Sequence, residues 1–315
     1  MIVTVTANPS IDRTVELSEP LSRGSVHRAH AVIDQPGGKG VNVARVVAAA
    51  GLDTLAVFPA DGSDRFVSQV SAVELPHLAV PFGGAVRTNI TIAEPDGTTT
   101  KINDAGHLMS LAGSNALKQA IIERAQSATW LVLSGSLPPG MPDNWYSSII
   151  EAVAERGCLV AVDTSGAPLA AAAKARPGLL KPNGDELAEL TGADGQAMEA
   201  AAGAGDPTVA TEASRTLAEQ TGGAILTTLG GAGALLTTPD GVWFATPPAV
   251  TVRSTVGAGD ASLAGYVIAD LRGGDPEARL RSAVAHGSAA ASLRGTSPPT
   301  PDLLDEAGVT ITRLH

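Results

Sequence analysis

The chain has few of the residues on which several classes of protein depend. Its 315 residues include one cysteine, Cys158, so no disulfide can form within the chain. Cys158 opens the apolar run Cys158–Val162, and we expect it to be a buried strand residue rather than a nucleophile. Aromatic residues make up only 3% of the chain, which leaves few rings on which nucleobases could stack.

Positive charge is also scarce. Lys and Arg number 21 against 32 Asp and Glu, the formal net charge is −11, and the sequence has no basic run. Nucleic acids and acidic membrane surfaces are bound by basic patches, so we expect neither as a partner. A small anionic substrate remains compatible, because a few local cations suffice to hold it.

Long hydrophobic runs are missing as well. No stretch approaches the ~18 uncharged apolar residues of a membrane-spanning helix. The N-terminus enters an apolar run without a cationic region or a cleavage site before it. We therefore expect a cytoplasmic protein, and the 44% of hydrophobic residues is ample for a buried core.

What the sequence does contain is an alternation of short β-branched runs with helix-length amphipathic segments. This order predicts an α/β protein whose parallel sheet is covered on both faces. The predicted strands are Ile2–Thr6, Leu55–Phe58, Trp130–Leu133, Leu159–Asp163, Ala224–Thr228 and Ala234–Thr238. The predicted helices are Val41–Ala50, Asp143–Arg156 and Glu212–Gln220.

Two segments depart from this alternation, and a third is biased in composition. Thr14–Gln35 and Ala85–Asn103 alternate polar and apolar residues, and Asp96-Gly97 is a hairpin turn signal, so they predict a small separate β-layer. Ala193–Asp206 is rich in Ala and Gly and is interpreted as a solvated surface insertion. Neither a repeat nor a linker composition divides the chain, which favours a single domain over residues 1–315.

The segment Ser254–Asp260 carries the most chemical information. Its glycines, Gly257 and Gly259, allow a tight turn whose N–H groups point into one space, and the helix that follows adds its positive end. Such a turn suits phosphate oxygens that gain charge during transfer, and Asp260 could accept a proton from an attacking hydroxyl. An interpretation in which Asp260 only caps the helix stays open here.

A second glycine cluster, Gly37–Gly40, precedes Val41–Ala44. It is not a Walker A loop, because Gly40 rather than Ser or Thr follows Lys39. Glycines let a ligand press against the backbone, Lys39 supplies a cation, and Asn42 offers a donor and an acceptor, which together suit a phosphorylated polyol. The alternative is a plain turn with a solvated lysine.

Three further segments are weaker signals. Asn183 and Glu186, in Lys181–Leu187, could order the waters of a magnesium ion or form a capping box, and both can hold together. Arg87 lies on the predicted β-layer, where it could bind phosphate or be solvated. Gly230–Gly233 lacks the third glycine of the dinucleotide fingerprint and leads into a strand, so we reject a nicotinamide dehydrogenase. None of the six histidines has ligand spacing.

Together these motifs resemble the ribokinase-like sugar kinases, the PfkB family, over nearly the whole chain. The resemblance rests on Thr6–Asp12, Gly37–Asn42, Lys181–Glu186 and Thr255–Asp260, which occur in the family's order and spacing. It implies a three-layer α/β core with a mostly parallel central sheet, and a small β-sheet lid from about residues 12–35 and 85–105. It also implies in-line transfer of the ATP γ-phosphate with Mg²⁺, and a homodimer formed through the lid.

The resemblance also implies roles for individual residues. Asp260 matches the catalytic base, and the anion hole matches Gly257, Ala258 and Gly259. The sugar hydroxyls would be bound by Asp12, Gly38 and Asn42. The nucleotide would be bound by Lys181, Asn183, Thr228, Gly230, Gly233, Ser254 and Val256, with Asn183 and Glu186 holding magnesium through water. The family often has Asp at the position of Ser254, near its monovalent-cation site, so a requirement for potassium is left open.

Within the family, the resemblance favours the branch that phosphorylates a phosphosugar. It rests on Asn8–Asp12, the lysine of the glycine loop, Arg87-Thr88-Asn89 and Ser134–Pro138. Lys39, Arg87 and Ser136 would then hold the phosphate that the sugar already carries. The implied substrate is fructose 1-phosphate, with tagatose 6-phosphate or fructose 6-phosphate as alternatives. A non-catalytic sugar-phosphate sensor is the alternative from another class.

Overall fold

A ten-stranded sheet and a four-stranded sheet organise the computed structural model, which describes residues 1–314. The strands are β1 (Ile2–Thr6), β2 (Ser10–Leu17), β3 (Ala29–Gly37), β4 (Thr54–Pro59), β5 (His77–Val80), β6 (Arg87–Ala93), β7 (Thr99–Ile102), β8 (Trp130–Ser134), β9 (Leu159–Asp163), β10 (Leu179–Leu180), β11 (Ala224–Thr228), β12 (Ala234–Thr238), β13 (Gly241–Thr246) and β14 (Thr310–Leu314). The α-helices are α1 (Lys39–Ala49), α2 (Arg65–Ala72), α3 (Leu111–Ala125), α4 (Trp145–Val153), α5 (Gly166–Lys174), α6 (Gly184–Thr191), α7 (Gly195–Gly203), α8 (Thr208–Thr221), α9 (Ala258–Leu271) and α10 (Pro276–Ala291).

The large sheet has the order β5-β4-β1-β8-β9-β10-β11-β12-β13-β14. Neighbours are parallel from β5 to β11 and antiparallel from β11 to β14. The expectation of a mostly parallel central sheet is therefore confirmed. The predicted strands all occur, and four of them have the predicted bounds.

Helices cover both faces of this sheet. Because successive side chains of a strand point to opposite faces, Val3 and Val5 of β1 join one hydrophobic cluster and Ile2 joins another. The first cluster takes in residues of α3 to α8, and the second takes in residues of α1, α9 and α10. This is the expected three-layer arrangement. Because the parallel strands are covered on both faces, their sequences are continuous apolar runs.

The small sheet has the order β3-β2-β6-β7. Strand β2 pairs antiparallel with β3 and parallel with β6, and β6 forms a hairpin with β7 through a turn at Gly97 (φ +90°). Ile11 of β2 is buried in a third cluster with Val41 of α1, which attaches this sheet to the core. The predicted β-layer and its hairpin signal are confirmed.

Two expectations are wrong. Cys158 precedes β9 and is only partly buried, because β9 begins at a solvent-exposed edge of the sheet, where Leu159 is 44% exposed. The segment predicted as a solvated insertion contains α7, whose Met198 and Ala202 are buried in the main cluster. Among residues 1–314, no helix is long and apolar enough to span a bilayer.

Candidate active site

The carboxyl ends of the parallel strands meet at one edge of the large sheet. The chain proceeds from β1 to β4 on one side and to β8 on the other, so the strand order reverses beside β1. In open α/β sheets, ligands bind outside the carboxyl ends at such a reversal. Most of the residues singled out in the sequence lie at or near this edge.

The entrance of α9 is built as expected for an anion hole. Gly257 is the N-cap with φ +80°, a conformation that favours glycine, and it has no side chain to occupy the first-turn amides. The first i to i−4 bond runs from the Ala261 amide to the Gly257 carbonyl, and the Ala258 amide donates to the Thr255 carbonyl at 3.3 Å. The Gly259 and Asp260 amides have no intrahelical acceptor, so this turn presents N–H groups and the positive end of the helix dipole.

Asp260 lies in this first turn and is 6% exposed. Its Oδ2 accepts a hydrogen bond of 2.8 Å from Asn42 Nδ2 of α1. The N-cap position belongs to Gly257, so the interpretation of Asp260 as a helix cap is wrong. Burial and the neighbouring charge of Asp163 raise the pKa of Asp260 to about 6, against the opposing effects of Lys39 and Asn42. A carboxylate with a pKa in this range is suited to accept a proton near neutral pH.

Asp163 is a central charged residue that the sequence analysis missed. It ends β9, is fully buried, and its Oδ1 accepts a hydrogen bond of 2.7 Å from Lys39 Nζ. Lys181 Nζ lies 3.2 Å from Oδ2, at ion-pair distance. A single charge at the end of an apolar strand was the available signal, because open α/β sheets bind ligands outside the carboxyl ends of their strands.

The pKa values of Asp163 and Lys39 are shifted by neighbouring charges. Burial alone would raise the pKa of Asp163, but Lys181 and Lys39 together hold it below its usual value. Burial alone would lower the pKa of Lys39, but the charges of Asp163 and Asp260 raise it above its usual value. Asp163 and Lys39 are therefore both charged at neutral pH.

The glycine loop lets α1 approach the end of β1 and the small sheet. A Cβ at Gly40 would meet the Val5 carbonyl, and one at Gly37 would meet the Asp12 carboxylate. Gly38 has φ +110° and lies against Thr6, whose hydroxyl accepts a hydrogen bond of 2.9 Å from the Val41 amide. These close approaches place Lys39 and Asn42 at the edge where the strands end.

The small sheet contributes Asp12 and Arg87. Ser10 Oγ and Asn89 Nδ2 both donate hydrogen bonds to Asp12 Oδ1, at 2.8 and 3.0 Å. Within residues 1–314, Asp12 Oδ2 accepts no hydrogen bond. Arg87 Nη1 donates to the Asp104 carbonyl at 2.6 Å. Asn89 entered the sequence analysis only as part of a motif, although its contact with Asp12 makes it part of this site.

Several polar atoms here are buried without a partner. Within residues 1–314, Arg87 Nε, Asn89 Oδ1 and Asn42 Oδ1 have no hydrogen-bond partner. Buried polar groups are normally paired, so a cluster of unpaired ones is expected where a polar ligand binds.

Ser136 lies on the exposed turn after β8, and its Oγ is 3.5 Å from Asn8 Nδ2. A Cβ at the adjacent Gly135 would lie 3.9 Å from Lys39 Cβ. The structure therefore brings the turn of Ser136 next to Lys39.

The expected nucleotide residues lie farther along the same edge. Asn183 and Glu186 form a capping box, with hydrogen bonds of 2.8 and 2.9 Å between each side chain and the other's amide. Asn183 also pairs with Thr228 through a parallel β-bridge. Gly233 (φ +121°) and Gly230 (φ +54°) flank the short turn after β11. Ser254 Oγ accepts from the Val256 amide at 3.2 Å, in the loop before α9.

The capping box limits how these residues can hold a metal. Glu186 uses Oε2 on the Asn183 amide, and burial raises its pKa. Among the described residues, no group of three or more acidic, His or Cys side chains has the geometry of a metal site. The oxygen atoms of Asn183 and Glu186 are donors of a kind that suits Mg²⁺ held through water.

Comparison with known proteins gives a consistent result. Residues 5–303 match the family described as pfkB family carbohydrate kinase. The chain is 33% identical over 315 residues to a 1-phosphofructokinase of Rhodobacter capsulatus, covering 99% of this chain and 96% of that protein. Two solved structures of Escherichia coli phosphofructokinase-2, in complex with potassium and with fructose-6-phosphate, superpose with TM-scores of 0.87 and 0.86 at 28% and 27% identity, covering 96% of both chains in each case.

Proposed function

Because the chain belongs to the pfkB family of carbohydrate kinases, we propose that it transfers the γ-phosphate of ATP to the C6 hydroxyl of fructose 1-phosphate. The products are fructose 1,6-bisphosphate and ADP. The observation that carries this proposal is the buried carboxylate of Asp260 at the entrance of α9, bonded to Asn42 of the glycine-loop helix. A proton acceptor and a set of anion-binding amides thereby share one space.

In this mechanism Asp260 accepts the proton of the C6 hydroxyl as the oxygen attacks phosphorus. The amides of Gly257, Ala258 and Gly259 stabilise the charge that develops on the phosphoryl oxygens. Asp12, Gly38 and Asn42 orient the sugar, with Asp12 Oδ2 and Asn42 Oδ1 free to accept hydrogen bonds from its hydroxyls. Positioning and charge stabilisation supply most of the rate, since the protein forms no covalent bond.

The phosphate already on the sugar is held by Lys39, Arg87 and Ser136. Lys39 keeps 39% of its side chain exposed although it pairs with Asp163, so part of its ammonium group can still meet a ligand. Arg87 Nε is buried and unpaired within the described residues. These cations support a substrate that carries a phosphate before the reaction begins.

The nucleotide is bound by Lys181, Asn183, Thr228, Gly230, Gly233, Ser254 and Val256. Mg²⁺, held through water by Asn183 and Glu186, would neutralise charge on the nucleotide phosphates. A potassium complex exists for the related Escherichia coli phosphofructokinase-2, and Ser254 marks the loop in which a monovalent cation would bind here. Because the reaction consumes ATP, we assign the protein to the cytoplasm.

The small sheet is proposed as the lid of a single domain spanning residues 1–315. Its site-facing side carries Asp12 and Asn89, and the opposite side carries the paired rows Val15/Val32/Ile92 and Ile90/Ile102. Val32 and Ile102 are 55% and 54% exposed. This apolar side supports a homodimer formed through the lid, which sedimentation of the protein and of a Val32→Asp variant would test.

The decisive experiment is a panel of sugar phosphates in a coupled ADP-release assay. We expect the highest kcat/KM for fructose 1-phosphate, with fructose 6-phosphate and tagatose 6-phosphate well below it. Asp260→Asn is the matched control, and its kcat should fall by roughly 10²–10⁴-fold with little change in substrate binding. A preference for fructose 6-phosphate would correct the substrate, and no ADP release with any sugar would favour the sensor.

A further inference from the structure

Asp163 has none of the roles proposed so far, yet it is the most deeply buried charged group of the site. Its carboxylate joins two loops that serve different substrates. Lys39 belongs to the glycine loop proposed to bind the sugar phosphate, and Lys181 begins the segment proposed to bind the nucleotide. The Lys39 ammonium group lies 2.7 Å from Asp163 Oδ1, and that of Lys181 lies 3.2 Å from Asp163 Oδ2.

The carboxylate is the fixed member of this group. The Asp163 carbonyl accepts a hydrogen bond of 2.8 Å from the Gly135 amide, and strand β9 is paired on both sides. Lysine side chains have four rotatable bonds and lose much rotamer freedom when they are held in one place. The location of each ammonium group therefore depends on Asp163 rather than the reverse.

The position of Lys181 matters because it touches the anion hole. A Cβ at Gly259 would lie 3.4 Å from Lys181 Nζ, so the ammonium group packs against the turn whose amides receive the phosphoryl group. Lys181 is only 4% exposed. Without a carboxylate partner, the buried ammonium group of Lys181 beside that of Lys39 would be strongly unfavourable.

We propose that Asp163 is a positioning residue that sets the locations of Lys39 and Lys181 together, and thereby aligns the phosphorylated sugar with the nucleotide. This inference rests on the proposed function, because the two lysines are assigned to the two substrates there.

The test is Asp163→Asn, which keeps the size of the side chain and removes its charge. Because misplacement of a binding group by about 1 Å can cost 10²-fold, kcat/KM for the sugar phosphate and for ATP should each fall by about that factor. Lys39→Met should affect mainly the sugar phosphate, and Lys181→Met mainly ATP. Loss confined to one substrate in Asp163→Asn, or no loss, would overturn the proposal.

Asp270→Asn is the matched control for the loss of a partly buried ion pair. Asp270 accepts from Trp130 Nε1 at 2.8 Å and pairs with Arg279 at 2.9 Å, on α9 but away from the candidate site. Its removal should lower the free energy of unfolding and leave both KM values unchanged. If Asp270→Asn changes both KM values as Asp163→Asn does, the effect is general destabilisation and the proposal fails.

A second comparison covers the case in which Asp163→Asn does not fold. The double variant Asp163→Asn/Lys181→Met removes one charge of each sign and should restore folding. Its kcat/KM for the sugar phosphate should be at least 10-fold below that of Lys181→Met alone, since Lys39 has lost its partner. Equal values in the two variants would show that Asp163 does not position Lys39.

Direct binding separates this inference from the proposed function. Calorimetry with a non-hydrolysable ATP analogue and with fructose 1-phosphate needs no turnover. If the wild-type protein binds both ligands without transferring phosphate, the kinase proposal fails, while weaker binding of both by Asp163→Asn would still support the positioning role. Unchanged binding of both ligands would overturn it.

Discussion

Replacement of Asn42 by Ala should move the acid limb of the pH–rate profile to higher pH. Asn42 Nδ2 donates to Asp260 Oδ2 at 2.8 Å, and this bond stabilises the charged carboxylate. The other groups that act on Asp260 are Asp163, which disfavours its ionisation, and Lys39 and Lys181, which favour it. Loss of the Asn42 bond therefore raises the pKa of Asp260.

The size of the effect follows from the kind of bond that is lost. In the unperturbed protein, activity should rise with pH through about 6, where Asp260 loses its proton. A hydrogen bond to a charged group contributes about 1.5–3 kcal/mol, and a tenfold change in an equilibrium corresponds to about 1.4 kcal/mol. The acid limb of Asn42→Ala should accordingly lie about one to two pH units higher.

The quantity to measure is kcat/KM for the sugar phosphate as a function of pH, because it reports ionisations of the free enzyme. Sugar and nucleotide phosphates also titrate near pH 6, as phosphate monoesters do. Their contribution is the same for every variant and cancels in the comparison. Loss of sugar binding by Asn42→Ala lowers the whole curve without moving the limb.

Asn89→Ala provides the matched control. It removes a side-chain amide from the same site, but that amide donates to Asp12 at 3.0 Å rather than to Asp260. Its kcat/KM should fall at all pH values with the limb unmoved. The reasoning is refuted if the limb of Asn42→Ala stays in place or moves to lower pH, or if the limbs of both variants move together.

Three other predictions concern single residues of the site. Lys39→Ala should raise the KM for a phosphosugar and spare the unphosphorylated sugar, and equal losses on both would remove its assignment to phosphate. Burial and Asp163 raise the pKa of Asp260 from its ordinary value of 3.8, which we take for the unfolded chain, to about 6 in the folded protein. The protonated side chain therefore stabilises the folded protein fully below pH 3.8, and this contribution is lost as the pH rises through 6. Asp260→Asn should thus gain about 3 kcal/mol in the free energy of unfolding at pH 8 and little at pH 4 in urea titrations; an equal gain at both would contradict this. Gly257→Ala should lower kcat through strain at φ +80°, whereas Gly222→Ala, with φ +72° at the end of α8, should cost similar stability, roughly 1–2 kcal/mol, and leave kcat unchanged.

The sequence predicted the strands and the two glycine turns, because each depends on local composition and spacing. It did not predict the role of Asp163, whose partner Lys39 is 124 residues away. That contact depends on β8 lying between β1 and β9, which periodicity does not encode. The capping box of Asn183 and Glu186 is a local pattern, and the structure confirms it.

The two wrong expectations have related physical causes. Ala193–Asp206 was interpreted from its Ala, Gly and acidic composition, but one helical turn that buries Met198 and Ala202 is enough to fix α7 on the core. Cys158 was interpreted from the apolar run that follows it, although the first residue of a run lies at the rim of the sheet. In both cases tertiary context decided the burial of residues whose composition favoured another outcome.

The small sheet carries Asp12, Asn89 and Arg87, while the proposed base and anion hole belong to α9. Part of the proposed sugar recognition is thus encoded apart from the groups proposed to carry out the transfer. Exchange of residues 10–37 and 87–102 with those of a related kinase should accordingly change which sugar is preferred. The groups proposed to transfer the phosphate would remain those of this chain.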